Sequence, residues 1–150
     1  MPIYPSIEAF YRENRADLAV LVSPVHFHTD MTLTCLAHGS NVLCEKPLGI
    51  TAAQAEELAA LAQKTDSVCG VVFNNRHLPA AIRAASLVSE GRLGKIVSFR
   101  SAYLHSSSAD PAKPRGWKQD KDICGGGVLF DLGSHAIDLL AFVLGNAPEN

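Results

Sequence analysis

Residues 17–23 read Asp-Leu-Ala-Val-Leu-Val-Ser, a run of apolar side chains that Pro24 ends. The run is continuous and does not alternate between apolar and polar residues. This pattern is typical of a strand that is buried on both faces, as the strands of parallel sheets are. The sequence therefore predicts a parallel strand here, with both of its faces covered.

Two further apolar segments, residues 41–44 and 68–73, have the same character. Helical periodicity occupies the segments around the three strands, at about 6–14, 27–38, 51–64 and 79–90. Thr51 and Gln54 have the spacing of a capping box at a helix N-terminus. The alternation of helices with buried strands predicts an α/β fold with a doubly wound parallel sheet.

Polar residues follow each of the three predicted strands. They occupy residues 23–28, 45–47 and 74–76. Doubly wound sheets bind their ligands at the carboxyl ends of the strands. The sequence therefore predicts a ligand site at this end of the sheet.

The pattern changes after Gly94. Residues 95–105 alternate in part between apolar and polar side chains, which predicts the first strand of a second, more open sheet. Residues 106–123 are rich in Ser, Pro, Lys and Asp, and a loop of this length is usually functional or disordered. Its Trp117 either fixes the loop to the body of the protein or belongs to a flap over a polar ligand.

A glycine run at residues 125–127 precedes an apolar segment that is predicted to be helical as far as about Leu144. Asp131 and His135 are four residues apart in this segment, so they share one face of a helix. A carboxylate and an imidazole in apolar surroundings can have pKa values near neutrality, as acid–base catalysis requires. The same spacing fits an ordinary helical hydrogen bond or two ligands of a metal ion.

The composition limits the class of protein. A chain of 150 residues can form a hydrophobic core, and a formal net charge of -2 gives no support to a nucleic-acid partner or an anionic membrane surface. Neither a signal peptide nor a membrane-spanning segment is visible. The cysteines have the spacing of neither a zinc site nor a disulfide framework, which predicts reduced thiols and a cytoplasmic location. They are Cys35, Cys44, Cys69 and Cys124.

We expect the sequence to lack the beginning of its first domain and the end of its second domain. A surface helix, and not a strand, is the first predicted element of the doubly wound domain. The second sheet has one predicted strand, and no G-x-G-x-x-G motif occurs. A complete dinucleotide-binding half would need on the order of 60 further residues before this sequence.

Five motifs occur in a characteristic order and spacing. They are Ser23-Pro24 with His28, Glu45-Lys46-Pro47, Phe73 to Arg76, Gly91 to Ile96, and the glycine run with Asp131, His135 and Asp138. Together they resemble the Gfo/Idh/MocA family of NAD(P)-dependent sugar and polyol oxidoreductases, over nearly all of residues 5–147. Many members of the family have Asn at the position of Val25, so the chain departs from the family there.

The resemblance implies a two-domain protein. Residues 1–93 would be the second part of a Rossmann domain that binds NAD or NADP. Residues 94–150 would be the truncated start of an α+β domain with a large open sheet. In the family that domain forms the site for a sugar or polyol and often the contact between subunits of a homo-oligomer. No metal, nucleic acid or membrane is expected as a partner.

The resemblance also implies roles for individual residues. Lys46 would lie beside the nicotinamide and the substrate, His135 would exchange a proton with the substrate hydroxyl, and Asp131 would hold the substrate. Trp117 is expected at the substrate. The further residues implied at the cofactor are Ser23, Pro24, His28, Glu45, Pro47 and Arg76. For Lys46 an exposed strand end, and for Arg76 an ion pair at a helix start, remain alternatives.

The reaction implied is oxidation of a secondary alcohol, in which the nicotinamide takes the hydride and the protein manages the proton. Two other activities occur among relatives of this family. Some are NAD-dependent glycosidases that cleave a glycosidic bond through transient oxidation, and some are regulators that bind a dinucleotide without turnover. An isolated fragment without the glycine-rich turn is expected to be inactive, because that turn supplies the pyrophosphate site.

Overall fold

The computed structural model describes residues 2–104, 106, 110, 112–114 and 116–145. In chain order its helices and strands are α1 (Ile7–Glu13), β1 (Leu18–Leu21), α2 (His28–Ala37), β2 (Asn41–Glu45), α3 (Ala52–Ala62), β3 (Cys69–Val72), α4 (Pro79–Ser89), α5 (Lys121–Cys124) and α6 (Ser134–Leu144). Short 3₁₀ turns occupy Val25–Phe27, Asn74–His77 and Trp117–Gln119, and a π-helical turn, Leu129–Gly133, leads into α6.

The three strands form one parallel sheet in the order β1-β2-β3. Leu21 near the end of β1 pairs with Cys44 of β2, which pairs in turn with Val71 of β3. The strands therefore end at nearly the same level, and the turns that follow them lie together. The connecting helices α2 and α3 contact each other. These features confirm the α/β class and the parallel sheet of a partial Rossmann fold.

The helix boundaries were largely predictable because their signals are local. The capping box at the start of α3 is formed as expected, since the hydroxyl of Thr51 accepts a hydrogen bond from the main-chain N–H of Gln54 at 3.3 Å. The side-chain oxygen of Gln54 accepts from the N–H of Thr51 at 3.1 Å in return. These two bonds satisfy donors that the first turn of a helix would otherwise leave unpaired.

One face of the sheet is covered within the described residues. The buried core cluster joins α2 to the first two strands and consists of Leu21, Cys35, Leu36, Val42 and Cys44. On the opposite face, Leu18, Val20 and Val22 are each more than half exposed. The expectation that β1 is buried on both faces is thus met on one face, because the two crossover helices pack on the same side.

The prediction of a strand at residues 95–105 is wrong for the part of this segment that the structure describes. Residues 95–104 form neither helix nor strand, and His105 lies outside the described residues. An alternating pattern is compatible with a strand, but a strand exists only where a neighbouring backbone supplies its hydrogen bonds. The described sheet contains β1, β2 and β3 and provides no such neighbour for this segment.

The four cysteines, all within the described chain, are free thiols. No group of three or more His, Cys, Asp or Glu side chains in the described part of the chain is arranged to hold a metal ion. Among the same residues, no helix has the length and apolar character needed to cross a membrane.

Candidate active site

A cleft of about 310 Å³ lies at the carboxyl ends of the strands. Its wall combines the turns after β1 and β2 with the segment that precedes α6. The residues that line it are Val22, Ser23, Val25, His28, Glu45, Lys46, Pro47, Trp117, Lys118, Cys124, Phe130 and Asp131. Most of the site residues expected from the sequence are therefore gathered in one cavity. Pro24 lies next to this wall, at the start of the 3₁₀ turn Val25–Phe27.

A second depression, of about 590 Å³, is larger but lies elsewhere. It is formed by the exposed C-terminal ends of α1 and α2, near the start of β2, and is lined by Arg12, Arg15 and His38 among others. Because doubly wound sheets bind ligands at the opposite ends of their strands, the smaller cleft is the candidate site.

Lys46 and Asp131 join the two halves of the chain. Lys46 directly follows β2, and its Nζ donates to Oδ1 of Asp131 at 3.0 Å and also to the main-chain oxygen of Asp131. Both side chains are largely buried. The contact spans 85 positions of sequence, so the fold itself, rather than local structure, brings this ammonium group and this carboxylate together.

Lys118 is a second cation on the same carboxylate. Its Nζ donates to Oδ1 and Oδ2 of Asp131 at 2.9 and 3.1 Å. Burial acts to raise the pKa of Asp131, but hydrogen bonds from Lys118 and Lys46 outweigh burial and hold that pKa below its usual value. Asp131 is therefore ionised at neutral pH. No periodic pattern marks Lys118, whose contact depends on the 3₁₀ turn in which it lies.

His135 occupies the first turn of α6. Its ring stacks on Tyr103, with 5.9 Å between ring centroids, and meets the edge of Phe73 at 6.2 Å. Nδ1 is buried and has no hydrogen-bond partner among the described residues. Burial and the positive charge of Lys46 lower the pKa of His135. The ring is therefore neutral at pH 7, and it holds a polar atom that a ligand could satisfy.

Asp131 and His135 were expected to share one face of a single α-helix. Asp131 instead lies in the π-helical turn Leu129–Gly133, and His135 lies in α6. The carboxylate of Asp131 accepts hydrogen bonds from Lys46 and Lys118, so the alternative of a local Asp–His hydrogen bond is not what the structure shows. π-Helical turns are rare and occur frequently at functional sites.

The glycine run is explained by close packing. A β-carbon on Gly126 would lie 2.1 Å from Cδ2 of Phe130, whose ring lines the cleft. Gly125 has a φ of +82°, and a β-carbon there would lie 2.8 Å from Cγ2 of Ile50. Glycine is therefore required at Gly125 for the segment before α6 to approach the turn that follows β2, and at Gly126 for the ring of Phe130 to lie against the main chain.

Two more expected residues line the cleft in different ways. Trp117 is partly exposed on its wall, and Nζ of Lys118 lies 5.7 Å from the centroid of the indole ring. Ser23 lines the cleft with a buried Oγ that has no hydrogen-bond partner in the described structure. An unpartnered buried hydroxyl is costly, and a bound ligand would relieve that cost.

Arg76 is not among the residues that line the cleft. Its Nε donates to Oδ2 of Asp138 at 2.8 Å and a terminal nitrogen donates to Oδ1. The guanidinium also lies over the rings of Phe73 and Phe142, 5.7 Å from each centroid. The hydrogen bonding of its guanidinium to the Asp138 carboxylate is the main cause that raises the pKa of Arg76. The ion pair connects the turn after β3 to α6. Arg76 therefore has the role of an ion-pair partner, which is the alternative that the sequence left open.

Unequal burial of this pair predicts unequal costs of breaking it. The side chain of Asp138 is 6% exposed and that of Arg76 is 43% exposed. We expect Arg76→Met, which leaves a buried carboxylate unpaired, to lower the free energy of unfolding by about 3 kcal/mol. Asp138→Asn leaves a cation that water can reach, and its cost should be about 1–2 kcal/mol.

Denaturant unfolding of both variants measures this difference. The control is Arg83→Met, which removes an exposed ion pair with Glu90 at 3.9 Å and should change stability by less than about 0.5 kcal/mol. Equal costs for Arg76→Met and Arg83→Met would show that the pair with Asp138 has no structural role.

The parallel sheet, its crossover helices and a polar cleft at the strand ends define an α/β protein of the Rossmann class. Comparison with family models identifies the family within that class. The model for an oxidoreductase family with an NAD-binding Rossmann fold matches residues 1–73, and the model for the GFO/IDH/MocA C-terminal domain matches residues 81–150. The chain belongs to the Gfo/Idh/MocA oxidoreductase family.

Two curated relatives of the chain are named for a sugar or glucoside substrate. The chain is 34% identical to levoglucosan dehydrogenase of Pseudarthrobacter phenanthrenivorans over 83% of its own length and 32% of the relative's. It is 32% identical to D-glucoside 3-dehydrogenase of Escherichia coli over 87% of its length and 36% of the relative's. Across the relatives with the highest similarity, the chain spans 32% to 43% of the relative's length.

Solved structures agree with this assignment. A complex of levoglucosan dehydrogenase with NADH and levoglucosan is 33% identical, with a TM-score of 0.83 over 86% of this chain and 35% of that one. An inositol dehydrogenase homologue from Azotobacter vinelandii, complexed with NAD+, is 27% identical, with a TM-score of 0.81 over 86% of this chain and 34% of that one.

Proposed function

We propose that this chain is part of an NAD(P)-dependent dehydrogenase that oxidises a secondary alcohol of a sugar, an inositol or a related polyol. The observation that carries the proposal is the meeting of Lys46 and Asp131 in one cleft, near a partly buried His135 whose Nδ1 is buried and unpartnered among the described residues. The relatives named for sugar substrates and the neighbours solved with NADH or NAD+ support it.

The cofactor is assigned to the turns after β1 and β2. Ser23, Glu45, Lys46 and Pro47 line the cleft from this side, and the buried, unpartnered Oγ of Ser23 fits a group that brings its own hydrogen-bonding atoms. When bound, a nicotinamide nucleotide supplies the hydride acceptor. In this proposal Lys46 lies between the cofactor and the substrate, and Pro24 and Pro47 shape the adjoining backbone.

The substrate is assigned to the opposite wall. Lys46 donates a hydrogen bond to the reacting hydroxyl, Asp131 orients that hydroxyl, and Trp117 closes the cleft beside it. His135, which burial keeps neutral, accepts the proton as the hydride leaves. Lys118 donates to both oxygens of Asp131 and thereby helps to hold this carboxylate in position for the substrate.

The domain arrangement of the family completes the proposal. Residues 1–93 then belong to the cofactor domain, and residues 94–150 begin the substrate domain, which would also form the contacts of a homo-oligomer. We further propose a cytoplasmic location, which the four free thiols favour.

An assay of the full-length enzyme tests this function. We expect reduction of NAD+ or NADP+, followed by absorbance, with at least one member of a panel of sugars and inositols. The Arg83→Met variant, altered at an exposed position outside the cleft, should retain the same rate. Release of phenol from aryl glycosides without net reduction would indicate a glycosidase, and cofactor binding without any turnover would indicate a regulator.

A further inference from the structure

His28 is a buried histidine at the start of α2, and both nitrogens of its ring contact main-chain oxygens. The residue is 1% exposed. Its Nδ1 lies 2.8 Å from the main-chain oxygen of Pro47, and its Nε2 lies 2.8 Å from the main-chain oxygen of Ser23. The resemblance implied that His28 contacts the cofactor, but both of its polar atoms are already engaged, so it has none left to offer a ligand.

The two acceptors of His28 belong to different turns. Ser23 lies in the turn after β1 and Pro47 in the turn after β2, and both turns line the candidate cleft. The ladder between these strands has its last pair at Leu21 and Cys44. The ring of His28 therefore continues the connection between the two strands beyond the end of the sheet, at the level where the cleft begins.

Both ring nitrogens of His28 meet a main-chain oxygen. A carbonyl oxygen only accepts hydrogen bonds, so a ring N–H is the donor in such a contact. Both nitrogens lie at full hydrogen-bond distance from these oxygens. Whichever nitrogen donates, the buried ring lies between the two turns and holds them at a fixed separation.

We propose that His28 is a positioning residue. Its ring, which lies between the main-chain oxygens of Ser23 and Pro47, links the turns after β1 and β2 and thereby fixes the backbone from which Lys46 reaches Asp131. The expected effect on turnover rests on the proposed function, whereas the link between the two turns does not depend on it. Displacement of a reacting group by about 1 Å can cost about 10²-fold in rate, so a residue that holds Pro47 in place affects turnover without touching the substrate.

Two variants and one control in the full-length enzyme test the catalytic consequence. His28→Phe fills the space without a donor, and His28→Gln retains a donor that can reach one of the two oxygens. The control is Cys35→Ala, which alters the same helix at a fully buried position in the core, away from the cleft. The readouts are kcat at saturating cofactor and substrate, the dissociation constant of the cofactor, and the thermal midpoint.

We expect His28→Phe to lower kcat by about 10–100-fold, His28→Gln to recover part of that loss, and Cys35→Ala to lower only the thermal midpoint. A fall in cofactor affinity with unchanged kcat would make His28 a cofactor ligand and overturn the proposal. A lowered midpoint with unchanged kcat and affinity, as in Cys35→Ala, would make the role merely structural and overturn it as well.

A spectroscopic measurement decides the link itself without relying on activity. In wild-type enzyme labelled with ¹⁵N-histidine, a ring N–H of His28 should be observed and should exchange slowly with solvent, because the residue is 1% exposed and a main-chain oxygen accepts from it. The signal is assigned by its loss in His28→Gln. A ring N–H that exchanges as fast as that of an exposed histidine would overturn the link. If no sugar or polyol is turned over, the proposed function fails, whereas this result still stands or falls by itself.

Discussion

Replacement of Lys46 by methionine is expected to lower kcat by about 10³-fold while cofactor binding is largely retained. Methionine keeps most of the length of the side chain but removes the ammonium group that donates to Asp131 at 3.0 Å. The variant therefore loses the hydrogen bond that we assign to the substrate hydroxyl, and it also loses the positive charge that contributes to the lowered pKa of His135.

The loss can be measured as the rate of nicotinamide reduction, with cofactor affinity from a fluorescence titration. Lys64→Met is a matched control, because Lys64 is exposed after the end of α3 and is not among the residues that line the cleft. It should leave both values unchanged. Turnover of Lys46→Met within a few-fold of wild type would remove Lys46 from the mechanism.

Much of the fold could be predicted because its signals lie within a few residues of one another. The capping box of Thr51 and Gln54 places the start of α3, and apolar runs place the three strands to within two residues of their observed ends. Which faces those strands bury depends on where the helices pack. The apolar run at Leu18 to Val22 therefore does not reveal that one of its sides is exposed.

The site was predictable where a motif marks its residues and unpredictable where neither a motif nor a periodic pattern does. Lys46 and Asp131 were expected in one site through the family resemblance, and their contact spans 85 positions. Lys118 lies in a segment without periodicity, so no pattern indicated that it shares Asp131. His28 was expected at the site, but only the positions of the carbonyl oxygens show that its ring serves the backbone.

Asp131→Asn is the second substitution with a large expected effect, because it removes the one carboxylate that two ammonium groups share. Asparagine can still accept a hydrogen bond, but it carries no charge to hold Lys46 and Lys118 together. Repulsion between the two cations then displaces Lys46 from the cleft. We expect kcat/KM to fall by about 10²–10³-fold, as for the loss of a positioned acid–base partner.

The pH dependence of stability gives this variant a second readout. The pKa of Asp131 is lowered in the folded protein, so the unfolded chain binds the proton more readily. The carboxylate therefore stabilises the fold above the ordinary aspartate pKa of about 3.9, and this contribution disappears as the pH falls through the lower, folded value. The difference in unfolding free energy between wild type and Asp131→Asn should be largest near neutrality and should shrink in acid.

Denaturant unfolding at neutral and acidic pH measures this difference, and Asp66→Asn provides the control. Asp66 is exposed after α3, so its substitution should leave the pH dependence of stability as it is in wild type. The two readouts also separate two roles of Asp131. Lost activity together with a pH-dependent loss of stability is what a shared counter-ion predicts, because the same two cations are released in both measurements. Lost activity with a wild-type pH dependence would mean that Asp131 serves the substrate alone and that its contacts with Lys46 and Lys118 do not stabilise the fold.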